Sequence, residues 1–142
     1  MIVIDTNVIS ELWKIDPDTK VLAWMDAQAV ETLYLSAVTV AELCYGIATM
    51  PEGKRRSIYQ ERMEREVLPV FAGRVLAFDL ETSKVYAGLM ARARIEGKAI
   101  ARADGYIAAS AAAHGFMVAT RDTSPFEAAG LAVINPWGAD PL

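Results

Sequence analysis

The chain has 142 residues, 54% hydrophobic and 23% charged, with a formal net charge of −4. That length builds one domain with a real core and leaves too little for two, and the negative balance argues against blanket binding to nucleic acid. A single cysteine, Cys44, excludes an internal disulfide, and no stretch resembles a secretory leader or a membrane span, so a reducing cytoplasm without membrane contact is the expected setting.

In chain order, the apolar run Ile2 to Asp5 predicts a first strand, followed by helical patterns over Asn7 to Lys14 and Val21 to Ala27. Leu33 to Ser36 predicts a second strand. Val40, Leu43, Cys44 and Ile47 then recur at i, i+3, i+4 and i+7, the stripe of an amphipathic helix. Lys54 to Leu68 predicts a charged helix closed by Pro69, and Val75 to Phe78 a third strand. Two helices, about Leu80 to Glu96 and Ala103 to Ala113, divide near Gly97, before strands at Met117 to Thr120 and Ala132 to Ile134. Short connections between alternating strands and helices imply one α/β domain over residues 1–142, with about five strands in a mostly parallel sheet. Ligands of such sheets bind beyond the carboxyl ends of the strands, where strand order reverses.

Four acids stand where such a site forms: Asp5 and Asp122, each just past a strand, Glu42 on a helix, and Asp104 at a helix start. Each has an ordinary role open to it as well. Asp5 fits an N-cap, Thr39 and Glu42 fit a capping box, and Asp122 fits an Asx-turn. Asp104 is harder to dismiss, because Ile107, Ala108 and Ala111 follow it at i+3, i+4 and i+7 and place its carboxylate at the head of an apolar stripe. Two carboxylates about 5 Å apart repel by about 3 kcal/mol at an effective dielectric of about 20, and a hard divalent cation removes that repulsion. Oxygen ligands without thiols or imidazoles favour Mg²⁺ or Mn²⁺. Four acids therefore suggest a metal centre formed by Asp5, Glu42, Asp104 and Asp122.

Charge is segregated along the chain. Residues 54 to 102 hold eleven Lys/Arg against six Asp/Glu, and the remainder three against twelve. An acidic centre with a basic flank suits a metal site that acts on a polyanion, with Arg92, Arg94, Lys98 and Arg102 as candidate contacts; a solvated helix face is the ordinary reading of Arg55, Arg62 and Arg65.

The segments Ile4-Asp5-Thr6-Asn7-Val8-Ile9-Ser10-Glu11, Ser36-Ala37-Val38-Thr39-Val40-Ala41-Glu42-Leu43, Ala103-Asp104-Gly105-Tyr106-Ile107-Ala108-Ala109 and Ala119-Thr120-Arg121-Asp122 together resemble the PIN-domain ribonucleases, in particular the VapC/FitB-like toxins of bacterial toxin–antitoxin pairs. The likeness runs to the Asn135-Pro136-Trp137 ending. It implies a PIN-like α/β/α fold and an Mg²⁺- or Mn²⁺-dependent endoribonuclease that hydrolyses RNA phosphodiester bonds. Asp5, Glu42, Asp104 and Asp122 would bind metal and catalyse, while Thr6, Asn7 and Thr120 would orient Asp5 and the attacking water. It also implies a homodimer, a cognate antitoxin whose tail wraps the toxin, and operator DNA bound only through that antitoxin; Leu12, Trp13, Ile15, Tyr45, Ile47 and Met50 are candidates to receive the tail. Arg102 departs from the small residue common in relatives and could pair with Asp104 or Glu42. His114, before Gly115, reads as structural.

Two enzyme rivals lose on particular residues: an Asp-x-Asp phosphatase needs an acid at Asn7, and a phosphoreceiver needs a lysine where Asn135-Pro136 stands. A catalytically idle PIN-like module that binds protein or RNA is the alternative of a different class.

Overall fold

Five short strands pair in the order β3-β2-β1-β4-β5 in the computed structural model, which describes residues 1–138; residues 139–142 of the expected domain lie outside the described residues. The strands are β1 (Ile2–Ile4), β2 (Leu33–Ser36), β3 (Val75–Leu76), β4 (Met117–Ala119) and β5 (Val133–Ile134), and every pairing is parallel. Strand order reverses between β1 and β4, which opens a crevice of the kind where such sheets hold their ligands.

Alternation along β1 covers both faces of the sheet. Ile2 and Ile4 enter one apolar core, with α1 (Thr6–Leu12), α2 (Thr19–Asp26) and α3 (Ala37–Ala48) supplying Val8, Ile9, Val21, Leu43 and Ile47. Val3 enters the other, built with Leu89 of α6 (Leu80–Ile95), Ile107, Ala108 and Ala111 of α7 (Arg102–His114), and Phe126 of α8 (Ser124–Ala128). Between them, α4 (Lys54–Arg62) and α5 (Leu68–Val70) flank a π-helical turn, Met63–Val67. The α/β/α architecture expected from the sequence is the one observed. No helix among the described residues is long and apolar enough to cross a membrane.

Several local expectations are corrected. Pro69 does not close the charged helix at Leu68. The backbone widens into the π turn, where the Leu68 N–H reaches the Met63 carbonyl, and the chain continues helically through Pro69 to Val70. Proline has no N–H to give and its ring crowds the preceding turn, so a locally widened helix accommodates it without a break. Strand β3 stops at Leu76, because Phe78 turns away to pack edge-on against Tyr86 and Tyr106. Thr39 does not open a capping box with Glu42; Ser36 is the N-cap of α3, its hydroxyl accepting from the Val38 N–H at 3.0 Å. Cys44, placed on the apolar stripe by spacing, is exposed. Helix α8 has no counterpart in the sequence reading; it is short and starts with a proline in its first turn.

Helix α7 lies close on α6 at Gly105, where no side chain intervenes, and Tyr106 beside it packs on Tyr86. A β-carbon added at Gly105 would come 2.7 Å from Met90 Sδ and 3.0 Å from the Tyr86 ring. Gly105→Val is expected to over-pack this contact and cost about 1–3 kcal/mol. Denaturant unfolding measures it, and an unchanged midpoint would show that α6 has room to yield.

Candidate active site

The register that pairs Ile4 with Ala119 brings the next residues, Asp5 and Thr120, side by side at the carboxyl end of the sheet. The Asp5 N–H continues the ladder to the Ala119 carbonyl at 2.9 Å, and the Thr120 N–H reaches the Ile134 carbonyl at 2.9 Å. Asp5 then caps α1, its Oδ1 accepting from the Thr6 N–H at 2.8 Å, and its Oδ2 accepts from the Thr120 hydroxyl at 2.8 Å. One carboxylate thus both caps α1 and lines the candidate cleft.

Thr120, fully buried, is the hub. Its oxygen accepts from Asn7 Nδ2 at 3.2 Å and from the Asp122 N–H at 3.2 Å, which commits its own proton to Asp5. Asn7 Oδ1 in turn faces the Arg121 N–H at 3.4 Å. Across the other side of β1, Glu42 on α3 accepts from the Thr6 hydroxyl at 2.5 Å, and the hydroxyls of Thr6 and Thr39 are 3.1 Å apart.

Asp5, Glu42 and Asp104 line one cleft of about 420 Å³, together with Thr6, Asn7, Ser10, Glu11, Lys14, Arg121 and Trp137. Asp122 is exposed and does not line it, since the register sets Thr120 rather than Asp122 beside Asp5. Its charge nevertheless reaches Asp104. Arg102 is exposed and makes no ion pair with Asp104 or Glu42 among the described residues. Arg94 and Lys98 line a separate cleft with Met90, Gly97 and Ile100, and no cation of residues 54 to 102 lines the acidic one. The cations in the acidic cleft are Lys14 and Arg121, which the reading of charge along the chain passed over. His114 is exposed at the end of α7 and packs on Phe116, away from the cleft.

Burial pushes the Asp5 carboxyl up to about 6, against the pull of its hydrogen bonds from Thr120 and Thr6, and the charges of Asp104 and Glu42 add to the rise. Asp104, half-buried in the first turn of α7, is raised by burial and then by Asp122 and Glu42. Glu11, at the cleft edge, is lowered by the hydrogen bond from Lys14 at 2.8 Å and by the Asp18 N–H at 2.9 Å. The side chains as they stand bring no three His, Cys, Asp or Glu residues of the described region within common reach of one ion. The donor chemistry still suits a hard cation. Carboxylate oxygens form the acidic wall, Asp5 and Asp104 are held above their ordinary range partly by neighbouring carboxylate charge, and Glu42 has Oε2 left over once Oε1 has bonded Thr6.

An acidic cleft at the reversal point of a five-stranded parallel sheet, covered by helices on both faces, defines an α/β/α class of domain, and the PIN domain model matches residues 2–131. The chain belongs to the PIN-domain family. Within it, the chain is 72% identical to the VapC ribonuclease Y4jK of Sinorhizobium fredii, over 96% of this chain and 98% of that one. It is 51% identical to Toxin FitB of Neisseria gonorrhoeae, over 96% and 99%. Among solved structures it superposes on FitAcB from Neisseria gonorrhoeae with a TM-score of 0.94 and 51% identity, covering 96% of this chain and 99% of that one. The structure of FitAB bound to the IR36 DNA fragment gives 0.95 and 50%, covering 99% and 98%.

The raised Asp5 carboxyl has a consequence for stability. Between pH 3.8 and about 6 the folded, metal-free protein keeps a proton that the unfolded chain has released. Its stability therefore falls as pH rises through that window and stays lower above it. Asp5→Asn should flatten this slope and raise stability at neutral pH by about 3 kcal/mol. Unfolding midpoints measured in chelator across the window check it, and a slope shared by both proteins would place the titration elsewhere.

Proposed function

We propose that this protein is a metal-dependent endoribonuclease, the toxin of a toxin–antitoxin pair. The observation that carries the reading is the cleft holding Asp5, Glu42 and Asp104 at the strand-order reversal. It gains support from 72% identity to a protein named VapC ribonuclease. Asp5 and Asp104 are the principal ligands of Mg²⁺ or Mn²⁺, with Glu42 and Asp122 completing the set directly or through water. When bound, such an ion acidifies water and offsets negative charge on a phosphodiester.

The chain's own residues do the positioning. Thr120 and the Thr6 N–H fix both oxygens of Asp5, so the carboxylate enters the cleft in one orientation. Asn7 fixes Thr120 in turn, and the Thr6 hydroxyl holds Glu42 across the cleft from the sheet. Hydrolysis joins a water oxygen to phosphorus as the bond to the leaving ribose oxygen breaks, and ionised carboxylates beside the water are its proton acceptors.

An antitoxin partner is supported by the likeness to FitAcB and to FitAB, the latter bound to DNA. A groove of about 220 Å³ lined by Trp13, Leu43, Ile47, Met50 and Tyr59 adjoins the acidic cleft through Thr6, Ser10 and Glu42, and would seat an apolar tail leading into it. Ile15 and Tyr45, also candidates for the tail, are exposed outside that groove. Contact with operator DNA belongs to the antitoxin, and a homodimer rests on the family resemblance.

The deciding experiment incubates total RNA with purified protein in Mg²⁺ or Mn²⁺, against chelator and against Asp5→Asn and Asp104→Asn. Discrete, metal-dependent fragments absent from both variants are expected. Folded variants that cut like the parent would sink the assignment, and no cleavage by folded, antitoxin-free parent under either metal would favour the idle binding module. Thr120→Val, which leaves Asp5 without its hydroxyl donor, should lower activity about 10–100-fold.

Because Asp5 must lose a proton to ligate a cation, Mn²⁺ affinity should strengthen as pH rises through about 6 and level off above it. Calorimetric titration on either side of that pH tests this, with proton release as the second readout. Equal affinity on both sides would remove Asp5 from the ligand set.

A further inference from the structure

Resting on the ribonuclease reading, we propose that Arg121 grips a backbone phosphate of the RNA at the rim of the acidic cleft, and that Trp137 positions its guanidinium for this contact. A cleft walled by Asp5, Glu11, Glu42 and Asp104 repels a polyanion, and among the described residues the cations that line it are Lys14 and Arg121. Lys14 is already paired with Glu11 at 2.8 Å. Arg121 is exposed, has no ion pair among the described residues, and lies with its guanidinium carbon 5.4 Å from the centre of the Trp137 ring.

The platform beneath it is firmly built. Trp137 packs against the core that holds Ile2, Ile4 and Val8, and its backbone N–H donates to Asn135 Oδ1 at 2.9 Å, with Pro136 buried between them. From the other side, Arg121 is tethered through its neighbour Thr120, which is buried and bonded to Asp5 and Asn7, and through its own backbone N–H facing Asn7. A guanidinium stacked on an indole keeps its edge N–H groups free for a planar, two-point contact with phosphate, and the stacking limits the freedom lost on binding. The Asn135-Pro136-Trp137 turn, prominent in the sequence and otherwise without a task, thereby acquires one.

Arg94 and Lys98 do not compete for this role, since they line a different cleft and Lys98 is paired with Glu96 at 3.2 Å. They can lengthen the RNA track but cannot hold the phosphate next to the carboxylates.

The test measures fluorescence anisotropy of a labelled, short single-stranded RNA of mixed sequence in Mg²⁺ over a salt series, all variants being made in Asp5→Asn protein to prevent cleavage. Arg121→Ala should weaken binding about ten-fold and make the slope of log affinity against log salt shallower by about 0.7, the value for one phosphate contact on a single strand. Arg121→Lys should keep the slope and lose part of the affinity. Trp137→Leu should weaken binding several-fold, yet add little once Arg121 is alanine, and Trp137→Phe should retain most of the parent's affinity. Unfolding midpoints identify variants that are merely unfolded, and Arg121→Ala, at an exposed side chain, decides the matter if Trp137→Leu is one of them. Unchanged affinity and slope in Arg121→Ala, with Asp5→Asn still unable to cut, would overturn this proposal and leave the ribonuclease reading standing. Cleavage by Asp5→Asn, or no RNA binding by the parent, would overturn both.

Discussion

The site depends on the register in which β1 lies against β4. Pairing Ile4 with Ala119 puts Asp5 beside Thr120, and the hydrogen bond between their side chains ties together two segments 115 residues apart. A slip of one residue would turn β1's side chains to the opposite faces, exchange Ile2 and Ile4 with Val3 between the two cores, and remove Thr120 from Asp5. The hydrophobic pattern that satisfies both cores therefore also sets the geometry of the cleft.

Around that register the acids occupy unequal environments, and their physical roles differ accordingly. Asp5 is buried and accepts two hydrogen bonds, yet burial outweighs them and holds its carboxyl high. Asp104, half-buried at a helix start, is raised by burial and by neighbouring negative charge. Glu42 and Asp122 are exposed, and each is steered by a contact to a threonine: Glu42 by the Thr6 hydroxyl, Asp122 through its N–H to Thr120. Three threonines, Thr6, Thr39 and Thr120, hold this arrangement with groups too short to move far, which is a cheaper way to orient carboxylates than long cationic partners that would neutralise them.

Three surfaces meet at the cleft: carboxylates form one wall, Arg121 lies over the Trp137 ring at the rim, and an apolar groove shares Thr6, Ser10 and Glu42 with the acidic wall. Occupation of the groove by a partner tail would place that tail beside Glu42, so inhibitor and substrate would compete at the wall where the proposed cation sits.

The strands, the main helices and the α/β/α layering were legible from the sequence, because apolar periodicity and short connections leave few ways to bury the Ile2–Ile4 run on both faces. The acids stood out for a related reason: carboxylates at strand ends and at the head of an apolar helix stripe are expensive to bury without a purpose. What the chain's order alone could not reveal was which side chains meet. Net charge along residues 54 to 102 pointed to a basic flank, but α6 and the connection after it direct Arg94 and Lys98 to another cleft, while Lys14 and Arg121 reach the acids from segments rich in negative charge. Thr39 looked like a cap and proved to be a buried neighbour of Thr6, because Ser36 opens the helix first. Local sequence determines periodicity, caps and the residue types available; contact across the β1 and β4 junction is decided only when two cores are packed at once, since that packing alone selects the register.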